Sequence, residues 1–204
     1  MRIIFATGNK NKVRECHEIL SDVADEIISM KEAGLDPEIV EDGKTFEENA
    51  MIKAETVHEL AKDAIVIADD SGLCVDALNG EPGIYSARYL GEDTSYDIKN
   101  AKILERLEGV PKEKRTARFV CAMAAVLPDG TSFTKTGVME GYIGDHAEGE
   151  NGFGYDPIFF VEPQNCSTAV LSPDEKNAIS HRGQAMRAMR EELVKRIWGI
   201  GDRG

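Results

Sequence analysis

The stretch AIVIADDSG, residues 64–72, is the part of the sequence that most clearly indicates the fold class. Residues 64–68 contain no polar side chain, so a strand there needs to be covered on both faces. Such strands are typical of α/β proteins, in which helices pack on both sides of a sheet. The chain then becomes acidic at Asp69 and Asp70. This change predicts that the buried strand ends where a ligand binds, because α/β proteins place ligands beyond the carboxyl ends of strands.

Outward from this stretch, helical and extended patterns alternate through the N-terminal half. Apolar runs predict strands at 2–6 and 25–30, and a helix at 10–20. Thr45, with Glu48 as its capping-box partner, opens another helix. This helix presents a buried stripe of small apolar residues: Ala50, Ala54, Val57 and Ala61.

The second half of the chain has a different pattern. A helix is predicted near 95–107, followed by a long hairpin of strands 116–127 and 131–141 that turns at residues 128–130. A short strand at 157–161 and a helix from Ser180 complete the chain, and the stripe of that last helix is Met186, Met189, Leu193 and Ile197. Helix-linked strands combined with a hairpin predict an α/β fold with a long, curved, mixed β-sheet flanked by helices.

Composition restricts the classes of function. The 204 residues carry 37 acidic and 24 basic side chains, a net charge of -13, which argues against a nucleic acid polymer as partner. The longest apolar run, 121–127, is far shorter than the ~18 residues that span a membrane. The four cysteines lack metal-ligand spacing. We therefore expect a cytoplasmic protein with a single domain over residues 1–204 and no linker.

Two segments have the composition of a site for phosphate and metal. Residues 7–12, TGNKNK, join a buried strand to a helix, and helix N-terminal amides favour anions; the alternative is a polar turn capped by asparagine. Asp69 and Asp70 repel each other, and a bound Mg²⁺ would relieve that repulsion, with Glu41 as a further oxygen donor. The alternative for residues 69–72 is a solvated turn.

Two later segments suit a base and its phosphates. Residues 152–157, GFGYDP, place aromatic rings between glycines, so that a ring face can meet a planar base, although a β-turn with ordinary aromatic packing fits as well. Lys176, His181 and Arg182 place cations near the start of a helix, where they oppose its dipole unless an anion or an electron-rich base is present. His181 could instead cap that helix. Taken together, the four segments favour a nucleoside polyphosphate as ligand.

On these residues the chain closely resembles the ITPase family of XTP/dITP diphosphatases, the house-cleaning nucleoside triphosphate pyrophosphatases. The resemblance covers nearly the whole length through FATGN, TFEENA, DDSGL, PGIYSAR, GFGYDPIF and SHRGQA, which begin at residues 5, 45, 69, 82, 152 and 180. It implies a homodimer whose mixed sheet separates two lobes, with the nucleotide in a central cleft. It also implies Mg²⁺-dependent hydrolysis of ITP, dITP and XTP to the monophosphate and pyrophosphate.

The resemblance also implies roles for individual residues. Asp70 would be the proton acceptor and a metal ligand, Glu41 a second metal ligand, and Lys53 would lie near the triphosphate, although the motif alone does not separate Asp69 from Asp70. The substrate would be contacted by Thr7, Gly8, Asn9, Lys10, Asn11, Lys12, Ser71, Phe153, Gly154, Tyr155, Asp156, Lys176, His181 and Arg182.

Two other functions remain open from the sequence. The related Maf-like pyrophosphatases share the general architecture but act on other nucleotides, including pyrimidines. A non-catalytic sensor would hold the nucleotide and Mg²⁺ without activating water.

Overall fold

A computed structural model describes residues 1–199, apart from the side chain of Asn11. Its helices, named in chain order, are α1 (Lys10–Leu20), α2 (Phe46–His58), α3 (Tyr96–Arg106), α4 (Pro173–Ile179) and α5 (His181–Trp198). Its strands are β1 (Arg2–Phe5), β2 (Glu26–Ser29), β3 (Ile65–Val75), β4 (Thr116–Val126), β5 (Ser132–Ile143), β6 (Phe159–Val161) and β7 (Cys166–Ser167). None of these helices is both long and apolar enough to cross a membrane.

The strands form a mixed sheet in the order β2-β1-β3-β4-β5-β6-β7. β1 lies parallel to both β2 and β3, whereas β5, β6 and β7 pair antiparallel. The parallel pairs require helical crossovers, which α1 and α2 provide. The predicted α/β fold with a mixed sheet is therefore confirmed.

The chain divides into two compact units, each with its own core. The first unit contains residues 1–70 and 121–137 together with the described residues from 184 to 199. Its core packs apolar residues of β1 and β3 against α1 and α5, for example Phe5, Ile67, Leu20 and Met189. The stripe predicted for α5 is confirmed: Met186, Met189 and Leu193 are fully buried, and Ile197 packs against the same core.

The second unit contains residues 71–120 and 138–183. Its core joins Ile103 of α3 to Phe119 of β4 and Phe159 of β6, with Leu73 and Val75 from the end of β3. On α3, the polar residues Lys99 and Asn100 are also buried. Buried polar side chains need partners, and here they are backbone carbonyls: Ala87 accepts from Lys99, and Gly154 accepts from Asn100.

The end predicted for the strand at 64–68 is wrong. β3 continues through Asp69, Asp70, Ser71 and Gly72 to Val75. Its parallel neighbour β1 is the strand that ends, since Phe5 is paired with Ile67. The acidic pair therefore lies two and three residues past the last paired position of β1, within a strand and not in a turn.

Several element boundaries also differ from the sequence prediction. α2 ends at His58, so that Ala61 lies beyond the helix although it is buried. Residues Asp156–Ile158 form a 3₁₀ turn, and β6 therefore begins at Phe159, later than predicted. The sequence reading missed α4 and the two-residue strand β7.

Candidate active site

The loop from β1 to α1 carries the first group of predicted site residues. Thr7, Gly8 and Asn9 precede α1, and Lys10, Asn11 and Lys12 form its first turn. Asn9 Oδ1 accepts a hydrogen bond from the Lys12 amide at 3.4 Å, so asparagine caps this helix. The cap and an anion site are compatible, because several N-terminal amides of a helix lack intrahelical partners. The side chain of Asn11 lies outside the described part of the chain.

Asp69 is buried and pairs with a lysine from that first turn. Lys12 Nζ donates to Asp69 Oδ1 at 2.9 Å and to Asp69 Oδ2 at 2.7 Å. An ammonium group has three donors, so these two bonds leave the third N–H of Lys12 for a ligand oxygen. Asp69 thus fixes the lysine at the helix N-terminus of the first unit.

Asp70, the next residue, has different neighbours. Lys53 Nζ of α2 lies 3.6 Å from Asp70 Oδ1 and 3.1 Å from Glu41 Oε2. Asn49 Nδ2, one helical turn before Lys53, donates to Asp70 Oδ2 at 3.3 Å. The structure therefore brings together three predicted site residues, Glu41, Lys53 and Asp70.

The surroundings of Asp70 shift its acidity. Burial raises the pKa of the Asp70 carboxyl above its usual range, and the negative charges of Glu41 and Asp69 raise it further, whereas Lys53 and the amide of Asn49 oppose the shift. A carboxylate with a raised pKa is a better proton acceptor, which is the property that a general base needs. Perturbed acids of this kind are enriched at active sites.

The oxygen donors of this cluster fit a magnesium ion. Glu41 and Asp70 already share one cation, the ammonium of Lys53, and carboxylate oxygens are the ligands that Mg²⁺ prefers. In the described part of the chain, no group of three or more acidic, histidine or cysteine side chains is placed to hold a metal ion. Two carboxylates are sufficient where phosphate oxygens and water complete the coordination, which is the usual arrangement for Mg²⁺.

The second unit holds the aromatic loop at residues 152–156, which we call the base loop. Phe153 is 59% exposed and is the only phenylalanine among the exposed large apolar side chains of the described residues. Lys176 Nζ lies 4.7 Å and Arg182 Cζ lies 5.5 Å from the centre of its ring. The loop therefore presents one open aromatic face with two cations close to it.

Asp156 holds the base loop from inside. Its Oδ2 accepts hydrogen bonds from the Phe153 amide at 2.9 Å and from Lys176 Nζ, and its Oδ1 accepts from Thr168 Oγ1 at 2.7 Å. Gly152 has a φ of +72°, and a Cβ there would lie 2.2 Å from Asp156 Oδ2, so only glycine fits. The carboxylate of Asp156 is buried and faces the loop, which makes it a support for Phe153 and Lys176.

Tyr155 is also buried and ties the loop to its neighbours. Its hydroxyl donates to the Ser86 carbonyl at 2.7 Å, and its ring meets Tyr96 of α3 edge to face at 5.2 Å. From the same helix, Asn100 Nδ2 donates to the Gly154 carbonyl at 3.0 Å. The base loop is thus held by α3 and by the segment that contains the PGIYSAR motif.

His181 and Arg182 begin α5, as the sequence predicted. Ser180 Oγ accepts from the Gly183 amide at 3.0 Å, so Ser180 caps the helix and His181 does not. The His181 ring stacks on Phe119 with centroids 4.9 Å apart, and both His181 and Arg182 are largely buried. Ser71, the remaining predicted contact, lies in β3 and is half-buried.

Sequence reasoning missed the residues that support the site: Asn49, Ser86, Lys99, Asn100 and Thr168. A signal existed for two of them. Asn49 directly precedes the buried stripe of α2, and Asn100 lies within the apolar pattern of α3. A polar residue at a position that should be buried requires a specific partner, and such partners are often functional.

The fold and the site define an α/β protein with a mixed sheet, whose first unit pairs Lys12 with Asp69 and Lys53 with Glu41 and Asp70. The chain belongs to the Ham1 family, whose sequence model matches residues 3–192.

Individual relatives agree over nearly the whole length. A dITP/XTP pyrophosphatase of Caldanaerobacter subterraneus is 48% identical over 97% of this chain and 98% of its own. A dITP/XTP pyrophosphatase of Leuconostoc mesenteroides is 46% identical over 99% of this chain and 100% of its own. The solved structure of the Staphylococcus aureus Ham1 protein superposes with a TM-score of 0.88 and 41% identity, covering 96% of this chain and 100% of that one.

Proposed function

We propose that this chain is a nucleoside triphosphate pyrophosphatase that hydrolyses dITP, XTP and ITP to the monophosphate and pyrophosphate. The observation that carries this proposal is the environment of Asp70, a carboxyl of raised pKa that shares Lys53 with Glu41 in the unit that also holds the Lys12 helix terminus. The names of the relatives, dITP/XTP pyrophosphatases, support the substrate class and favour it over the Maf-like alternative.

The triphosphate binds at the start of α1. The amides of this first turn carry partial positive charge, Lys10 adds a full charge, and Lys12 adds an ammonium that is paired with Asp69. Asp69 holds the Lys12 ammonium by two of its donors, so that the third donor points to a phosphate oxygen. Because the lysine is already fixed, little side-chain entropy is lost on binding.

Glu41 and Asp70 would hold a magnesium ion together with the phosphates. When bound, Mg²⁺ supplies electrophilic stabilisation of the charge that develops on the phosphoryl oxygens. Lys53 lies against both carboxylates and reduces their mutual repulsion. Its ammonium also remains available to stabilise negative charge on the leaving pyrophosphate.

Asp70 takes the proton from the attacking water. In the metal-free protein burial raises the pKa of Asp70, which favours proton uptake, and Asn49 and Lys53 keep its oxygens in fixed directions. Water attacks the α-phosphorus, the bond to the β-phosphate oxygen breaks, and pyrophosphate departs. The proton ends on Asp70 and is released to solvent.

The base binds against Phe153, and Arg182 selects it. An aromatic face stacks on any base, so Phe153 contributes affinity without selectivity. A guanidinium has donors only, which suits the 6-oxo group of hypoxanthine and xanthine. The 6-amino group of adenine is itself a donor and would face the donors of Arg182. A buried donor left unpaired costs about 1–3 kcal/mol.

A substrate panel tests this function. With Mg²⁺ present, the purified protein should release pyrophosphate from dITP, XTP and ITP, and should act poorly on dATP, dTTP and UTP. Pyrophosphate is measured by coupled assay before and after addition of an inorganic pyrophosphatase. Binding of dITP without product would favour the sensor, and preference for dTTP or UTP would favour the Maf-like alternative.

A homodimer and a cytoplasmic location are further parts of this proposal. The family resemblance supports the homodimer, and the composition of the chain supports the location. Light scattering on the eluate of a sizing column gives the mass in solution. The expected mass is twice that of the chain, and a monomer would remove the homodimer from the proposal. Fractionation of the source cells tests the location.

A further inference from the structure

Asn49 connects the two segments that carry the proposed metal ligands. It is the fourth residue of α2 and is 1% exposed. Its Nδ2 donates to Asp70 Oδ2 at 3.3 Å. Its Oδ1 accepts from the amide of Gly43, two residues after Glu41, at 2.8 Å. One side-chain amide therefore contacts both Asp70 and the loop of Glu41.

The donor and acceptor groups around Asn49 determine which segment each end of its side-chain amide contacts. The Gly43 amide is a donor, so it can meet only the oxygen of Asn49. The nitrogen of Asn49 must then face Asp70, where it donates to a carboxylate. A hydrogen bond to an ionised acceptor is about twice as strong as one between neutral groups.

The loop that carries Glu41 lies so close to Asn49 that only glycine fits at position 43. A Cβ at Gly43 would lie 2.6 Å from Asn49 Oδ1 and 2.8 Å from the Cβ of Glu48. Separate hydrogen bonds hold the start of α2, because the Glu48 amide donates to Thr45 Oγ1 and the Glu48 carboxylate accepts from the Lys44 amide. The contact between Gly43 and Asn49 is thus distinct from the helix cap.

We propose that Asn49 is a positioning residue that sets the separation of Glu41 and Asp70 and thereby determines the affinity of the site for a divalent ion. This inference rests on the proposed function, because that function assigns the two carboxylates to the metal. Side chains that orient metal ligands in this way are worth about 10–100-fold in metal affinity or activity.

Mn²⁺ binding in the presence of saturating dIMP, whose phosphate can complete the coordination, tests the proposal without turnover. The electron paramagnetic resonance signal of free Mn²⁺ reports the bound fraction in wild type and in Asn49→Ala. The expected dissociation constant of Asn49→Ala is higher by about tenfold or more. Thr45→Ala is the matched control, since it removes the cap of the same helix; it should lower Tm and leave Mn²⁺ affinity unchanged.

Kinetics separate positioning from a general loss of structure. Asn49→Ala should raise the Mg²⁺ concentration needed for half-maximal kcat with dITP by about tenfold or more, with little change in KM because the phosphate contacts of α1 remain. A folded Asn49→Ala protein with wild-type Mn²⁺ affinity and Mg²⁺ requirement would overturn the proposal. Equal losses in Thr45→Ala would also overturn it, because they would show that helix stability alone is responsible.

Gly43→Ala provides a second route if Asn49→Ala does not fold. It keeps the Asn49 amide in the chain but forces Gly43 and the start of α2 apart, because the added Cβ would meet Asn49 and Glu48. Weaker Mn²⁺ binding is therefore expected, and unchanged binding contradicts the proposal. Failure of the proposed function gives a different result. Wild type would then bind Mn²⁺ but release no pyrophosphate, whereas failure of the positioning role alone leaves wild type active and Asn49→Ala unaffected.

Discussion

Asp69 and Asp70 are adjacent in the chain, but their carboxylates have different partners. Successive side chains of a strand point to opposite faces, which sends Asp69 to Lys12 and Asp70 to Lys53 and Asn49. Asp69 is held by two short charged hydrogen bonds, whereas Asp70 has a raised pKa and longer contacts. The sequence predicted that the pair has a chemical role. The sequence could not assign different roles to Asp69 and Asp70, because their partners come from helices distant in sequence.

Asp70→Asn should lower activity and raise stability. Loss of the proton acceptor is expected to lower kcat for dITP by ~10²-fold or more, with nucleotide binding retained. The raised pKa means that ionised Asp70 costs the folded state free energy at neutral pH, and asparagine removes this cost. Each kcal/mol gained would raise Tm by about 2–4 °C in a protein of this size.

The gain in Tm of Asp70→Asn over wild type depends on pH. A folded pKa above the unfolded value stabilises the protein only while the group is protonated, so the penalty in wild type appears as pH rises through the folded pKa of Asp70. The difference in Tm should therefore disappear below about pH 4, near the pKa of an unperturbed aspartate. Calorimetry of both proteins from acid to neutral pH measures it. Near-normal kcat in Asp70→Asn would exclude the general-base role.

Arg182→Ala should reduce the preference for a 6-oxo base. Arginine offers donors only, so its removal takes away the contact that favours ITP and the mismatch that disfavours ATP. The expected result is a smaller ratio of kcat/KM for ITP over ATP, measured by pyrophosphate release. If the ratio is unchanged, another group distinguishes position 6 of the base.

At the scale of elements, α3 supports the base loop. Asn100 bonds the Gly154 carbonyl, and Lys99, 1% exposed, donates to the Ala87 carbonyl at 2.6 Å with its ammonium 4.7 Å from the centre of the Tyr96 ring. Ser86 Oγ accepts from the Leu73 amide at 2.9 Å and donates to the Gly83 carbonyl at 2.6 Å. These bonds give the PGIYSAR motif a structural role beside the loop.

Asn100→Ala should weaken nucleotide binding more than it slows the chemistry. One hydrogen bond of about 0.5–1.5 kcal/mol is lost, which corresponds to a KM for dITP raised roughly two- to tenfold. Asp70 and its partners belong to the other unit, so kcat should change less. Steady-state kinetics measure both constants.

Ile98→Ala is the control for that experiment, because Ile98 lies on the same helix and is exposed. It should leave KM and kcat at wild-type values. Similar effects of the two substitutions would indicate that α3 acts through its overall stability and not through the bond to Gly154.

Elements with strong local signals were predicted well. The helix at 10–20 matches α1, and the predicted helix near 95–107 becomes α3 with Ser95 as its cap. The sequence predicts an end for β3 that is too early, because Asp, Ser and Gly are turn formers. Only pairing within the sheet keeps these residues extended. α4 was missed although Ser172 and Glu175 form a capping box, since seven residues give no clear periodicity.

At the scale of the molecule, the protein carries a net charge of -13, although the ligand that we propose is itself an anion. Lys12, Lys53 and Lys176 each pair with a carboxylate, which fixes the ammonium groups where phosphates or a base can reach them. The first unit carries the proposed phosphate and metal residues, and the second carries the base loop. The sequence predicted these residue types as a set, whereas their supports depend on tertiary contacts.

The central claim is that this chain directs water to the α-phosphorus of a nucleoside triphosphate. Hydrolysis of dITP in ¹⁸O-labelled water, with mass spectrometry of both products, tests it directly. The account predicts one ¹⁸O atom in the monophosphate and none in pyrophosphate. Label in the pyrophosphate, or release of orthophosphate and a diphosphate, would contradict it.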